Sequence, residues 1–455
     1  MTTEVAEVTV RSDSTHESEM IIEEARQLQQ RHRRRRWAVV VAVAFIIGAA
    51  LVVASGGGRN PSRSLPVKSS PHHHSSGTTS YNAAAGILGG QYVQSVQQVR
   101  GQTSWVFTLN VVAQSNGGQG IEWTNNGGRT WRDATPNGYN RFDGDRFIER
   151  LFALTPTRAW IVVGPVEPKR TTSETVLTTE NAGRSWSRVG SLPLLGCSLE
   201  FLSARFGVCA SAPGASNSAP VKLAVTSDGG RTWTTTFDNF AGFANGPPGS
   251  GDNGLPYECD KTFTLTAPST VWAQGWCNAT NAFLYRSTDS GRHWTLASAI
   301  QPSPIVEGGA EFTGPVVLSG RSGAVAFEEG RFSMVYVTHN GGASFTPVYA
   351  PGPERPWTID IVSAKVWRLT FRNLILGTDN GGRSWFNLPS NAFASRAIRR
   401  TQRWGTGAPN SMDFTSSSFG WMTWLNGNGQ DLTVTHNNGQ TWKSVHVPGT
   451  AKQPD

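Results

Sequence analysis

One stretch of this chain is apolar on every side, and the rest is apolar by alternation. Trp37 to Ala54 holds eighteen residues without a charge, about 27 Å as a helix at about 1.5 Å per residue. A bilayer core is about 30 Å thick, so the segment suits a single membrane-spanning helix. Arg31 and Arg33 to Arg36 stand just before it. The positive-inside rule then puts residues 1–36 in the cytoplasm and everything beyond residue 55 outside the membrane. A signal peptide cleaved after Ala54 is the rival reading, but 36 residues precede the apolar run, more than an n-region usually holds. Residues 55–85 are rich in Gly, Ser, Pro and His. They read as a flexible tether of about 30 Å r.m.s. span, with His72 to His74 as solvated filler.

From residue 86 the pattern changes to short alternating runs. Phe152-Ala-Leu-Thr-Pro-Thr-Arg-Ala-Trp160-Ile-Val-Val, Phe263 to Gln274 and Phe414 to Met422 each read as strand, tight turn, strand. Trp105 and Trp367 hold the Trp160 position in two further units. Each such hairpin is followed by an eight-residue motif, S/T-x-D/N-x-G-x-S/T-W/F. It occurs at Thr124–Trp131, Thr179–Trp186, Thr226–Trp233, Ser287–Trp294, Thr338–Phe345, Thr378–Trp385 and Thr435–Trp442, with only His293 breaking the penultimate position. The third positions are Asn126, Asn181, Asp228, Asp289, Asn340, Asn380 and Asn437. Such a side chain accepts N–H bonds inside its own turn, glycine two places on tolerates positive φ, and the aromatic buries a large area. The terminal aromatics are 55, 47, 61, 51, 40 and 57 residues apart, close to one four-stranded propeller blade each. The expectation is an all-β, seven-bladed β-propeller over residues 86–455, preceded by one N-terminal transmembrane helix.

The motif resembles the Asp-box, or BNR repeat. With its hairpin it is similar to the photosystem II assembly-factor propellers and, more loosely, to sortilin-type and sialidase-type propellers. The first likeness implies a scaffold for membrane-protein assembly. The sialidase likeness implies glycoside hydrolysis with an arginine triad, but the Phe/Tyr-Arg-Ile/Val-Pro signature is not present: the one Arg-Pro, Arg355-Pro356, follows Glu354. Glu149, Glu200, Asp360 and Asp413 fall near inner strands, where acids of different blades could converge on the axis. No nucleophile elbow, zinc motif or phosphate loop occurs, so no catalytic residue, metal or cofactor is assigned.

Composition narrows the rest. Charged residues are 16% of the chain and the net charge is +8, of which +5 lies beyond residue 85, too little to argue nucleic-acid binding. Cys197, Cys209, Cys259 and Cys277 all fall outside the membrane, where an even count favours disulfides. Cys259 and Cys277 are symmetric about the hairpin centre at Pro268; Cys197–Cys209 is the other preferred pair. Arg (33) far exceeds Lys (7), which suits a GC-rich bacterial genome. Long connections at 134–147, 236–260, 297–313 and 387–411 gather at the end opposite the eight-residue turns, a candidate recognition face. Arg396, Arg399, Arg400, Arg403 and Trp404 cluster there, fit for a carboxylate, phosphate or acidic glycan. The expected function is therefore a membrane-anchored, extracytoplasmic, non-catalytic module for a protein or glycan partner; a glycoside hydrolase is the alternative.

Overall fold

The fold is taken from a computed structural model. It describes His74–Ser75 and residues 91–448 except 111–117, 140–145, 166–173, 195, 212–221, 239–254, 256–258, 278–280, 301–309, 330–331, 353–355, 357, 372–373, 389–408 and 427–428. The expected membrane helix, cytoplasmic tail and most of the tether lie outside the described residues. So do Arg396, Arg399, Arg400, Arg403 and Trp404. No helix among the described residues is long and apolar enough to cross a membrane.

Alternating patterns fold into seven antiparallel sheets, each made of four strands consecutive in sequence. The first strands of the blades are Gln91–Arg100, Arg146–Ala153, Ser198–Phe201, Cys259–Ala267, Ala310–Ser319, Thr358–Ile361 and Pro409–Phe414. Each adjoins the next, and the last adjoins the first, so together they ring the axis. Gln91–Arg100 pairs with Thr103–Asn110 and so belongs to the first blade. His74 and Ser75 add a two-residue strand on the axial edge of that blade, opposite Gln98 and Gln97.

The eight-residue turns are the same in all seven blades. In the first, the amide of Gly128 donates to Thr124 Oγ1 at 3.0 Å, and that of Thr130 donates to Asn126 Oδ1 at 3.0 Å. His293 fits the pattern because its Nδ1 stands 2.6 Å from Asp289 Oδ2, where other blades place a hydroxyl. Two consecutive residues take positive φ, not one. The first tolerates Ala182, Ser290 and Asn438 at φ 61–65°, whereas the second is glycine throughout. In the fifth blade packing adds to the difference: a Cβ on Gly342 would lie 2.2 Å from the Trp272 ring, while one on Gly341 meets nothing within 4 Å.

Each turn also donates one backbone N–H to the hairpin turn of its own blade, as in Gly127 to Gln102 O, Gly229 to Arg205 O and Asn438 to Ser418 O. Hairpins and eight-residue turns therefore share one end of the ring, and the long connections leave from the other. Between blades, Trp105, Trp160, Trp272, Trp367 and Trp421 are fully buried. Trp160 stacks on Phe201 of the next blade at 3.9 Å and donates its indole N–H to Gly229 O.

Cys197 and Cys209 are bonded, with Cα atoms 5.4 Å apart. Cys209 faces Leu199 across the hairpin, so the bond is diagonal, two residues off register. Cys259 stands directly opposite Cys277.

Candidate functional site

Inner-strand acids were the natural candidates for chemistry, and the structure gives three of the four a different task. Asp413 Oδ2 accepts the amide of Gln98 in the first blade at 3.2 Å. Asp360 Oδ2 accepts that of Phe414 in the seventh blade at 2.7 Å. Glu200 accepts the amide of Leu265 in the fourth blade with both oxygens, each at 3.2 Å. Gln97 and Thr264 do the same for Ala153 and Val316. The rule is common to all five: a polar side chain on one inner strand receives a backbone N–H of the next. These groups are clasps between blades. Burial pushes Glu200 and Asp413 well above the usual carboxylate range, and Asp360 beside Asp413 adds to the second. Burial also raises Asp360, against the amide of Phe414 and the charge of Arg368.

Sequence reasoning passed over Arg368, which is fully buried between the sixth and seventh blades. Its guanidinium donates to Trp367 O, Thr378 O and Ser417 O, to Asp379 Oδ1 at 2.8 Å and to Asn438 Oδ1. The only hint in the sequence is an Arg inside an otherwise apolar strand.

The fourth acid stands apart. Ile148 pairs with Val163 and Arg150 with Val162, leaving Glu149 as the extra residue of a β-bulge. Ile148 and Leu151 both pack toward the first blade, so Glu149 and Arg150 fall together on the opposite face. Glu149 lies over Gly164, where a Cβ would come 1.6 Å from its Oε1. Arg150 reaches Glu149 Oε2 at 3.1 Å and Glu174 Oε2 at 3.3 Å. The amide of Gly196 donates to Glu174 Oε1 at 2.7 Å, and the neighbouring Cys197 is pinned by its disulfide. Glu149 and Arg150 keep 16% and 18% of their side-chain surface exposed, against 4% for Glu174. Burial pushes Glu149 up to about 7, opposed by Arg150 and assisted by Glu174, with which it shares a hydrogen bond. The site is a solvent-reachable carboxyl pair on one arginine, set on an inner strand toward the end from which the long connections leave.

No family model matches the chain, and no curated protein matches it. Solved structures do resemble it. YCF48 from Cyanidioschyzon merolae is 13% identical over 77% of this chain and 97% of its own, with a TM-score of 0.47. A sialidase of Hadza microbial origin is 12% identical over 64% and 63%, at 0.35. Prolyl oligopeptidase B from Galerina marginata, bound to a macrocyclization substrate, is 7% identical over 80% and 52%, at 0.51. The last of these agrees with the propeller that the seven sheets form. The chain spans nearly all of the first relative and about half of the last.

Proposed function

We propose that this chain is a membrane-anchored extracytoplasmic propeller that binds a protein or glycan partner and is not a hydrolase. The observation that supports this reading most is the use made of the inner-strand acids. Two-carboxylate glycoside hydrolysis needs the carboxyls about 5–10 Å apart across a cleft. Glu200, Asp360 and Asp413 hold backbone amides of neighbouring blades. Glu149 and Glu174 share a hydrogen bond and one guanidinium, which is too close for that chemistry.

The eight-residue turns are proposed to be Asp-boxes, holding the fold rather than a ligand. Recognition is assigned to the opposite end, from which the long connections leave, with Arg396, Arg399, Arg400, Arg403 and Trp404 as its proposed residues. Cys259 and Cys277 are proposed to form the second disulfide, since directly opposed strand residues come within bonding range.

The test uses the full chain in nanodiscs on a glycan array and in a pull-down from envelope membrane proteins, beside Arg399→Ala/Arg400→Ala/Trp404→Ala. Specific capture that the triple variant loses is the expected result. Capture retained by the variant moves recognition away from that loop, and glycans returned cleaved overturn the non-catalytic reading.

A further inference from the structure

Seven blades make seven junctions, and the chain itself crosses six of them. The seventh, between the blade starting at Pro409 and the blade starting at Gln91, has no covalent crossing, because every sheet is built from consecutive strands. Residues facing this junction follow from register, since cross-strand partners share a face. Gln98 stands opposite Ser104, Val106 opposite Glu122, and Asp413 opposite Trp421. Val96, Val106, Phe419, Trp421, Val434 and Val447 form its apolar core.

The polar atoms there are poorly served. Gln98 Oε1, Ser104 Oγ, Glu122 Oε2, Trp131 Nε1, Asp413 Oδ1 and Trp421 Nε1 have no partner, six of the twelve such buried side-chain atoms among the described residues. The junction between the first and second blades makes a useful contrast. Gln97 bonds Leu151 O and the amide of Ala153, Gln119 the amide of Ile148, and Trp105, Trp123, Trp186 and Arg132 each a carbonyl across the gap. Across the seventh junction the Gln98 amide donates to Asp413 at 3.2 Å and Thr415 Oγ1 to Gly101 O at 3.5 Å. Trp421 holds the place of Trp105 but finds no carbonyl.

We propose that the junction between the seventh and first blades is a built-in opening joint of the ring, latched by Asp413 on the Gln98 amide. Opening returns six unpaired polar atoms to water there, whereas at the junction of the first and second blades it would return Gln119 Nε2 and Arg132 Nε and break the seven bonds just named. The apolar core keeps the joint closed at rest. His74 and Ser75 lie against the axial edge of the first blade and beside Pro409–Phe414.

Amide-resolved hydrogen exchange on the full chain tests this. The Gln98 amide is expected to have a protection factor at least tenfold below those of Ala153 and Leu265, which are clasped the same way at other junctions. Asp413→Val, which removes the acceptor, should lower protection at Gln98 by a further tenfold and leave Ala153 and Leu265 unchanged. Asp413→Asn, which keeps an acceptor, should stay within threefold of the parent. Equal protection at the three amides in the parent chain overturns the proposal, as does a loss at all three together in Asp413→Asn. If Asp413→Val does not fold, the parent and Asp413→Asn decide the matter alone.

Discussion

Glu122→Gln should make the protein more stable in alkali and leave it nearly unchanged in mild acid. Glu122 is 8% exposed and faces the seventh blade with Oε2 unpartnered. Burial, helped by Asp133 and opposed by Arg132, pushes its carboxyl from 4.5 up to about 7. The folded protein therefore holds a proton that the unfolded chain has released between those two values. Stability contributed by the neutral carboxyl is complete below 4.5 and lost as pH rises through about 7. A rise of roughly 2.5 units is worth about 3.5 kcal/mol at about 1.4 kcal/mol per unit, which solvent screening of a partly wetted group cuts to about 3 kcal/mol. Gln never ionises but leaves an amide donor without a partner, a cost of about 1 kcal/mol. The net gain at pH 8 is then about 2 kcal/mol. At about 2.1 cal/mol/K per residue over residues 91–448, this raises Tm by about 3 °C. Thermal melts followed by circular dichroism at pH 5 and pH 8 give the answer. A gain of equal size at both pH values, or a loss at pH 8, refutes the argument.

Three further outcomes follow from the same geometry. Reducing Cys197–Cys209, or Cys209→Ser, should cost about 3 kcal/mol from the loop it closes and loosen the Gly196 amide from Glu174; melts with and without reductant, with exchange at Gly196, read both. Gly342→Ala meets the Trp272 ring and a positive φ, so it should cost about 3 kcal/mol or more, against about 1 kcal/mol for Gly341→Ala, which meets positive φ alone; paired melts compare them. Stability of the parent should peak near pH 4, between 3.8 and 4.5. On the alkaline side Glu122 and Glu149 ionise through about 7. On the acid side Asp228 and Asp289 are lost as pH falls from 3.8 through about 2, because hydrogen bonds from Thr232 and His293 outweigh the burial that would raise them; a pH series of melts locates the peak.

The blade count and the turn positions were open to reading because both depend on local chemistry repeated seven times. A Thr, an Asn and a Gly at fixed spacing close the same turn wherever they occur. Strand alternation likewise marks the hairpins, and an even cysteine count points to bonds such as Cys197–Cys209. The tasks of Glu200, Asp360 and Asp413 were hidden because each depends on an amide 54 to 315 residues away. An acid on an inner strand looks the same in sequence whether it meets substrate or a neighbouring N–H. The bulge at Glu149 was equally hidden, since alternation alone would have sent Glu149 and Arg150 to opposite faces. Register, not composition, brings that pair together and places Arg368 among carbonyls.

The clasps have a direction. Each one is an acceptor offered forward to an amide of the following blade, never a reciprocal exchange between two equal surfaces. Links of that head-to-tail kind close into a ring only when the rotation between members divides a full turn, and otherwise run on as an open spiral. Nothing in an individual clasp therefore counts to seven. The number is set by the wedge each sheet makes with the next, through the indoles and aromatic rings between them, and a duplicate of the fourth or seventh blade would bring both its acceptor and its amide with it.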